Sequence, residues 1–168
     1  MDIGTIVNIT SRAWSLPILS SMHRGVSGRQ APLRTAIGAT RTAFAQSMEH
    51  LIKIGMLERN PGHGHPLRPE FRLTQSGSIA AAIAHQIQNV TEVENQELLR
   101  RSWIVPILAS LHSPRRFNEI KRRLPAITDR ALSLSLKAME DKNWVHRSVQ
   151  EACRPPRSVY RSVNTGGE

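Results

Sequence analysis

The chain is short of the residues that would place it in several classes of protein. It holds one cysteine, Cys153, in 168 residues, so an intramolecular disulfide cannot form and a cysteine-rich zinc module is excluded. The fold must rest on packing alone. Aromatic residues make up 4%, which disfavours stacking platforms for single-stranded nucleic acid. No run approaches the ~18 apolar residues of a membrane helix, and Met1-Asp2-Ile3-Gly4 does not lead through a basic stretch into an apolar leader. The expectation is a cytoplasmic protein without membrane contact. Acidic residues are scarce as well, with 13 Asp and Glu against 23 Lys and Arg, which leaves a net charge of +10. A polyanion is the partner that such a balance suggests.

Signatures of catalysis are missing too. There is no G-x-S-x-G and no phosphate loop, and Gly62-His-Gly64-His-Pro-Leu67 lacks the final glycine and the βαβ setting of a dinucleotide site. Acidic clusters that would hold catalytic magnesium are absent. His63 and His65 place two imidazoles two residues apart, but no Cys or carboxylate lies beside them in the loop. No catalytic residue, metal site or cofactor is expected. Cys153 lies between Ala152 and Arg154, where neighbouring arginines would depress its pKa, yet a lone cysteine is by itself an incidental one.

What is present is a repeat. Arg12-Ala-Trp14-Ser-Leu-Pro17-Ile18-Leu19-Ser-Ser21-Met-His23 recurs as Arg101-Ser-Trp103-Ile-Val-Pro106-Ile107-Leu108-Ala-Ser110-Leu-His112, with seven of twelve positions identical at an offset of 89. After a slip of one residue, Thr40, Ala43, Ser47, Met48, Leu51 and Arg59 meet Thr128, Ala131, Ser135, Leu136, Met139 and Arg147. Phe71-Arg72 and Gly77 then stand opposite Tyr160-Arg161 and Gly166. Charge divides evenly between the copies, 9 − 4 = +5 for residues 1–88 and 14 − 9 = +5 for 89–168, so it belongs to the repeated unit.

Each copy reads as helix, helix, helix, hairpin. In the second, Trp103, Ile107, Leu108 and Leu111 recur at helical spacing, Phe117, Ile120 and Leu124 define a short second helix stopped by Pro125, and Thr128 caps a third over about 129–142. Residues 144–149 and 159–163 are rich in β-formers and predict a hairpin. The first copy repeats this with a helix over 14–23, a short helix opening at Pro32, a turn at Gly38, and Thr40 capping Phe44, Met48 and Leu51. Gly55 suits that helix's stop, and 56–59 and 70–73 read as strands. Between the copies, Ile79, Ile83, Ile87 and Val90 form a helical stripe, and Thr91-Glu-Val-Glu94 has the form of a capping box opening a fresh helix. The predicted fold is mainly α with small β-hairpin wings: a first winged unit over 1–77, a helical linker over 78–100 and a second unit over 101–168.

This arrangement resembles a winged helix-turn-helix, and the second copy is similar to the HxlR family of bacterial transcriptional regulators within the broader MarR-like group. Trp103-Ile-Val-Pro-Ile-Leu108, Arg115-Arg116-Phe117-Asn-Glu-Ile120, Leu124-Pro-Ala-Ile127-Thr128 and Leu132-Ser-Leu-Ser-Leu136 carry the resemblance in the family's order and spacing. The first copy shares Trp14, Thr40 and an ending Phe71-Arg-Leu-Thr-Gln-Ser-Gly77 that resembles the family's wing exit, but has Gly28-Arg-Gln-Ala-Pro-Leu33 where the Arg-Phe motif belongs. Members usually carry one winged helix per chain and act as homodimers, and some sense oxidants through a cysteine near the N-terminus, which this chain lacks.

The resemblance implies a transcriptional regulator that binds a double-stranded DNA operator, as a monomeric pseudo-dimer or a homodimer, with repression expected over activation. A small-molecule effector is allowed for, with no identity read from the sequence. Docked third helices would bring Thr40, Arg41, Thr42 and Gln46, and Thr128, Arg130, Ser133 and Lys137, to bases or phosphates. Arg68, Arg115, Arg116, Arg154 and Arg157 would add phosphate contacts from the wings and second helix. Leu134 is open to a thymine methyl or to internal packing. The alternative is a winged-helix adaptor that binds proteins, since fold alone does not fix function.

Overall fold

The computed structural model describes residues 1–60, 69–150 and 157–167. The first unit runs α1 (Ile3–Thr10), α2 (Ser15–His23), α3 (Gln30–Ile37), α4 (Arg41–Lys53), β1 (Leu57–Arg59), β2 (Phe71–Leu73) and α5 (Gln75–Val90). After a 3-10 turn at Val93–Asn95 the second unit follows as α6 (Gln96–Leu99), α7 (Ile104–Ser110), β3 (Arg115–Arg116), α8 (Phe117–Arg123), α9 (Asp129–Asp141), β4 (Val145–Gln150) and β5 (Arg157–Ser162). A last 3-10 turn covers Asn164–Gly166. Among the described residues, no helix is long and apolar enough to cross a membrane.

The expected order of elements is present in both units, and the repeat extends to backbone detail. Gly55 and Asn143, 88 positions apart, take φ of 72° and 55° directly after α4 and α9. This is the left-handed conformation that ends helices and that Gly and Asn tolerate best. Further on, a Cβ on Gly77 would lie 1.9 Å from the Met56 carbonyl oxygen, and one on Gly166 would lie 2.2 Å from that of Trp144. Each glycine is thus fixed by the same close approach behind the first wing strand of its unit.

Three sequence expectations are corrected. The helix expected to open at Pro32 opens at Gln30, because proline in a first turn forfeits no helical hydrogen bond. Thr91 does not cap a new helix: its hydroxyl donates to the Ile87 carbonyl at 2.7 Å and closes α5. Thr74 instead begins α5 by accepting from the Gly77 N–H at 3.0 Å, so residue 77, drawn as the end of a wing, lies inside a helix. The stripe Ile79, Ile83, Ile87 is not the buried side of that helix, which is Gly77, Ala80, Ala81 and Ala84 packed against α2. Small side chains let two helices approach closely, whereas Ile79 remains 57% exposed.

Two elements went unread. In α1, Asp2 caps by accepting from the Thr5 N–H at 3.0 Å, and Ile3, Ile6 and Val7 turn toward the core. In β3, Arg115 and Arg116 pair with Tyr160 and Val159, making a three-stranded sheet of order β3-β5-β4. Among the described residues, the first unit has only the hairpin β1-β2 and an isolated bridge from Arg29 to Glu70.

The units are fastened along one seam. Helix α1 lies on α7, and the buried Thr10 hydroxyl donates to the Ser102 carbonyl at 2.8 Å. Across the same seam the Arg100 guanidinium sits 4.6 Å from the centre of the Trp14 ring. The Gln96 amide donates to the carbonyls of Gln88 and Thr91 at 2.8 and 2.9 Å, tying α6 to the end of α5. The connection is structured, as the periodicity predicts.

Candidate nucleic-acid interface

Helices α4 and α9 are built alike. Thr40 and Thr128 stand in extended conformation before them and accept from the N–H of Ala43 at 3.3 Å and Ala131 at 3.2 Å. Such a cap satisfies one of the N–H groups that every helix start leaves free. Phe44, Met48 and Leu51, and Leu132, Leu136 and Met139, bury one stripe of each helix. The other face is bare: Arg41, Thr42, Ala45, Gln46 and Glu49 in α4, and Asp129, Arg130, Ser133, Leu134 and Lys137 in α9, are all exposed. Leu134, 58% exposed, does not pack internally. Two capped helices, each with a polar outer face and a wing behind it, are what insertion into a major groove requires.

The surroundings of the two faces differ. Beside α9, Arg116, Arg122, Arg157, Ser158 and Tyr160 line a hollow of about 580 Å³ between α8 and β5. Burial pushes the Tyr160 phenol above its usual range. Glu119 accepts the Arg116 backbone N–H at 2.7 Å, and that bond, aided by the charges of Arg116, Arg122 and Arg115, holds its carboxyl below the usual carboxylate range. Lys121 pairs with Asp129 at the start of α9 and offsets the one acid on that face. Beside α4, a hollow of about 380 Å³ is lined by Gln30, Ala31, Arg34, Arg41, Phe44 and Ala45. Here the wing's Arg72 is paired with Glu58 at 2.7 Å, and Arg29 lies 4.0 Å from Glu70.

Of the residues picked from sequence, Thr40, Arg41, Thr42, Gln46, Thr128, Arg130, Ser133, Lys137 and Arg157 are exposed on these two sides. Arg115 is half-buried: its Nε donates to the Ser110 carbonyl at 2.7 Å and its Nη2 meets His112 Nε2 at 3.3 Å. That guanidinium closes the end of α7. Arg116 is half-buried at the rim of the hollow. Arg68 and Arg154, with Cys153, His63 and His65, lie outside the described residues. Arg122 and Arg34 line these hollows without being among the residues picked from sequence, although the run Lys121-Arg122-Arg123 is a visible basic signal on a short helix.

The family described as HxlR-like helix-turn-helix matches this chain over residues 9–97 and again over 98–168. The chain belongs to that family. It carries two HxlR domains in tandem, and both are winged helix-turn-helix units. HTH-type transcriptional regulators of Mycobacterium bovis and Mycobacterium tuberculosis are 30% identical to it over 88 residues, which is 52% of this chain and 55% of theirs. The chain thus spans about half the length of these relatives. Among solved structures, the reduced form of the transcriptional regulator YodB from B. subtilis shares 30% identity over 44% of this HxlR-like chain and 72% of its own, with a TM-score of 0.41. The redox regulator HypR in its oxidised form shares 24% identity over 51% of this chain and 78% of its own, with a TM-score of 0.34.

Proposed function

We propose that this HxlR-like chain is a sequence-specific regulator of transcription, acting in the cytoplasm on double-stranded DNA, and that one chain does the work of a dimer. The carrying observation is the pair of exposed, identically capped helices, α4 and α9, held in one polypeptide by a packed seam. Successive major grooves on one face of a duplex lie ~34 Å or about 10 base pairs apart, so two such helices read two half-sites. Their faces differ, with Arg41, Thr42, Ala45 and Gln46 against Asp129, Arg130, Ser133 and Leu134. The operator is therefore an asymmetric site or an imperfect palindrome. A linked pair also avoids the association cost that separate monomers meet. Repression is the expected outcome, since a bound chain that covers two grooves occludes a promoter without needing a further contact.

Selection of bound fragments from random duplexes, followed by hydroxyl-radical footprinting, tests this. Two unequal protected half-sites about one turn apart are expected, with affinity falling steeply from low to physiological salt as condensed counterions are displaced. Protection of one half-site only, or affinity indifferent to salt, would overturn the proposal.

A further inference from the structure

Arginine is unevenly placed at the edges of the repeat. Just outside the matching stretches 12–23 and 101–112, Arg24 stands where the second copy has Ser113, and Arg100 stands where the first has Ser11. The fold brings these two arginines together. Arg24 ends α2 and Arg100 ends α6, and both line one hollow of about 350 Å³ between α2, α3 and the connection to the second unit. Among the described residues, none from α4, α9 or the wing strands lines it.

The walls of this hollow are of two kinds. Trp14, Pro17 and Ile37 are half-buried on the side of the first unit, and Val93 and Leu99 face them from the connection. Val93 is 87% exposed, so an apolar body seated there gains by covering it as well as by lying beside Trp14. The polar part is cationic and held in place. The Arg100 guanidinium sits 4.6 Å from the centre of the Trp14 ring, and its Nη2 donates to Glu97 at 2.6 Å. Arg24 donates from Nη2 to the Ser21 hydroxyl at 3.2 Å. A guanidinium has five N–H donors, so each arginine keeps most of its donors for a ligand. Two guanidiniums against the one carboxylate of Glu97 leave the hollow with an excess of positive charge. A carboxylate answers that excess, because charge-assisted bonds to arginine are the strong ones. Apolar walls with a few placed polar groups are how small-molecule sites are built, and this volume lies near the lower end of their ~300–1,000 Å³.

We infer that the hollow binds a small organic anion, a carboxylate on an apolar ring body, with the carboxylate between Arg24 and Arg100 and the ring beside Trp14 and Val93. Bound there, the anion bridges α2 of the first unit and α6 of the connection. Such binding needs no DNA and does not rest on the reading of α4 and α9.

Isothermal titration calorimetry on the full chain, without DNA, tests this with naphthoate as the probe and its neutral isostere naphthamide as the control. Naphthoate is expected to fill a single site per chain. Naphthamide should bind at least about tenfold more weakly, and Arg24→Gln and Arg100→Gln should each weaken naphthoate by about tenfold, the scale of a hydrogen bond to a charged group. Glu97→Gln removes the competing carboxylate and should tighten it. Arg24 and Glu97 are both exposed, so these two variants read the site with the fold intact, as an unchanged melt by circular dichroism checks. Absence of naphthoate binding up to millimolar concentration would overturn the proposal, as would equal affinity for acid and amide, or wild-type affinity in both arginine variants. Inorganic phosphate distinguishes a hollow for apolar anions from a bare cationic patch. Naphthoate binding that persists in equimolar phosphate supports the hollow, and displacement by phosphate at equal concentration counts against it.

Discussion

Leu19 and Leu108 occupy the same place in the two units, yet one is sealed from water and the other half-buried. In the first unit, helix α5 packs over this position against α2. A second difference runs the opposite way. In the first unit, acids sit on basic residues, Glu58 on Arg72 in the wing and Glu70 near Arg29 at the start of α3. In the second, Arg116, Arg122 and Arg157 ring a hollow, and the acid among them, Glu119, is engaged by a backbone N–H. Equal net charge in the two halves therefore conceals unequal electrostatics. On the proposed function, the second unit is expected to hold phosphates more strongly than the first.

The largest effect that tests this asymmetry is on stability. Leu19→Ala should cost about 3 kcal/mol, within the usual ~2–5 for a buried leucine, whereas Leu108→Ala in dilute solution should cost about 1. Urea denaturation of both variants measures it, and equal costs would show that α5 does not seal its unit. Next come the recognition faces. Gln46→Ala and Arg130→Ala should each lose ~1–3 kcal/mol of binding on the selected operator, each through a different half-site, while Arg157→Ala weakens all sequences alike. Titrations against duplexes with one half-site scrambled separate them. A smaller effect follows from Glu58→Gln, which releases Arg72: the dependence of log affinity on log salt should steepen by up to about 1, with no such change for Glu119→Gln. The smallest concerns pH. Because the Glu119 carboxyl is held below its ordinary range, its cap contributes above that range and is lost as pH falls through the lowered value. Melting temperatures of wild type and Glu119→Gln should accordingly differ at neutral pH and converge in acid.

Much of this architecture was legible because it is local. Thr40 and Thr128 announce helix starts, the apolar spacing behind them announces the buried stripe, and the repeat doubles every signal. Arg115 shows where such reading stops. It belongs to a motif and carries charge, but its partners are the Ser110 carbonyl and His112, and nothing in the sequence says which way a guanidinium turns. Which side of α5 packs was likewise not written in its own sequence. Its isoleucines are the stronger apolar signal, yet close packing on α2 favours the alanine side, a preference set by the neighbouring helix and not by α5 itself. Strand β3 escaped because two arginines carry no β-pattern until β5 is there to pair with them.

The seam between α1 and α7 has one more consequence, for inheritance. In a homodimer every substitution appears twice, so a change that suits one half of an operator is imposed on the other. Here Thr10 and Ser102, joined by one hydrogen bond, belong to the same polypeptide, and a change in α4 leaves α9 as it was. On the proposed function, each of the two helices is then free to follow its own stretch of DNA while the shared skeleton is kept. The buried stripes Phe44, Met48, Leu51 and Leu132, Leu136, Met139 have stayed apolar, while the outer faces have parted to Thr42 and Gln46 in one and Arg130 and Leu134 in the other.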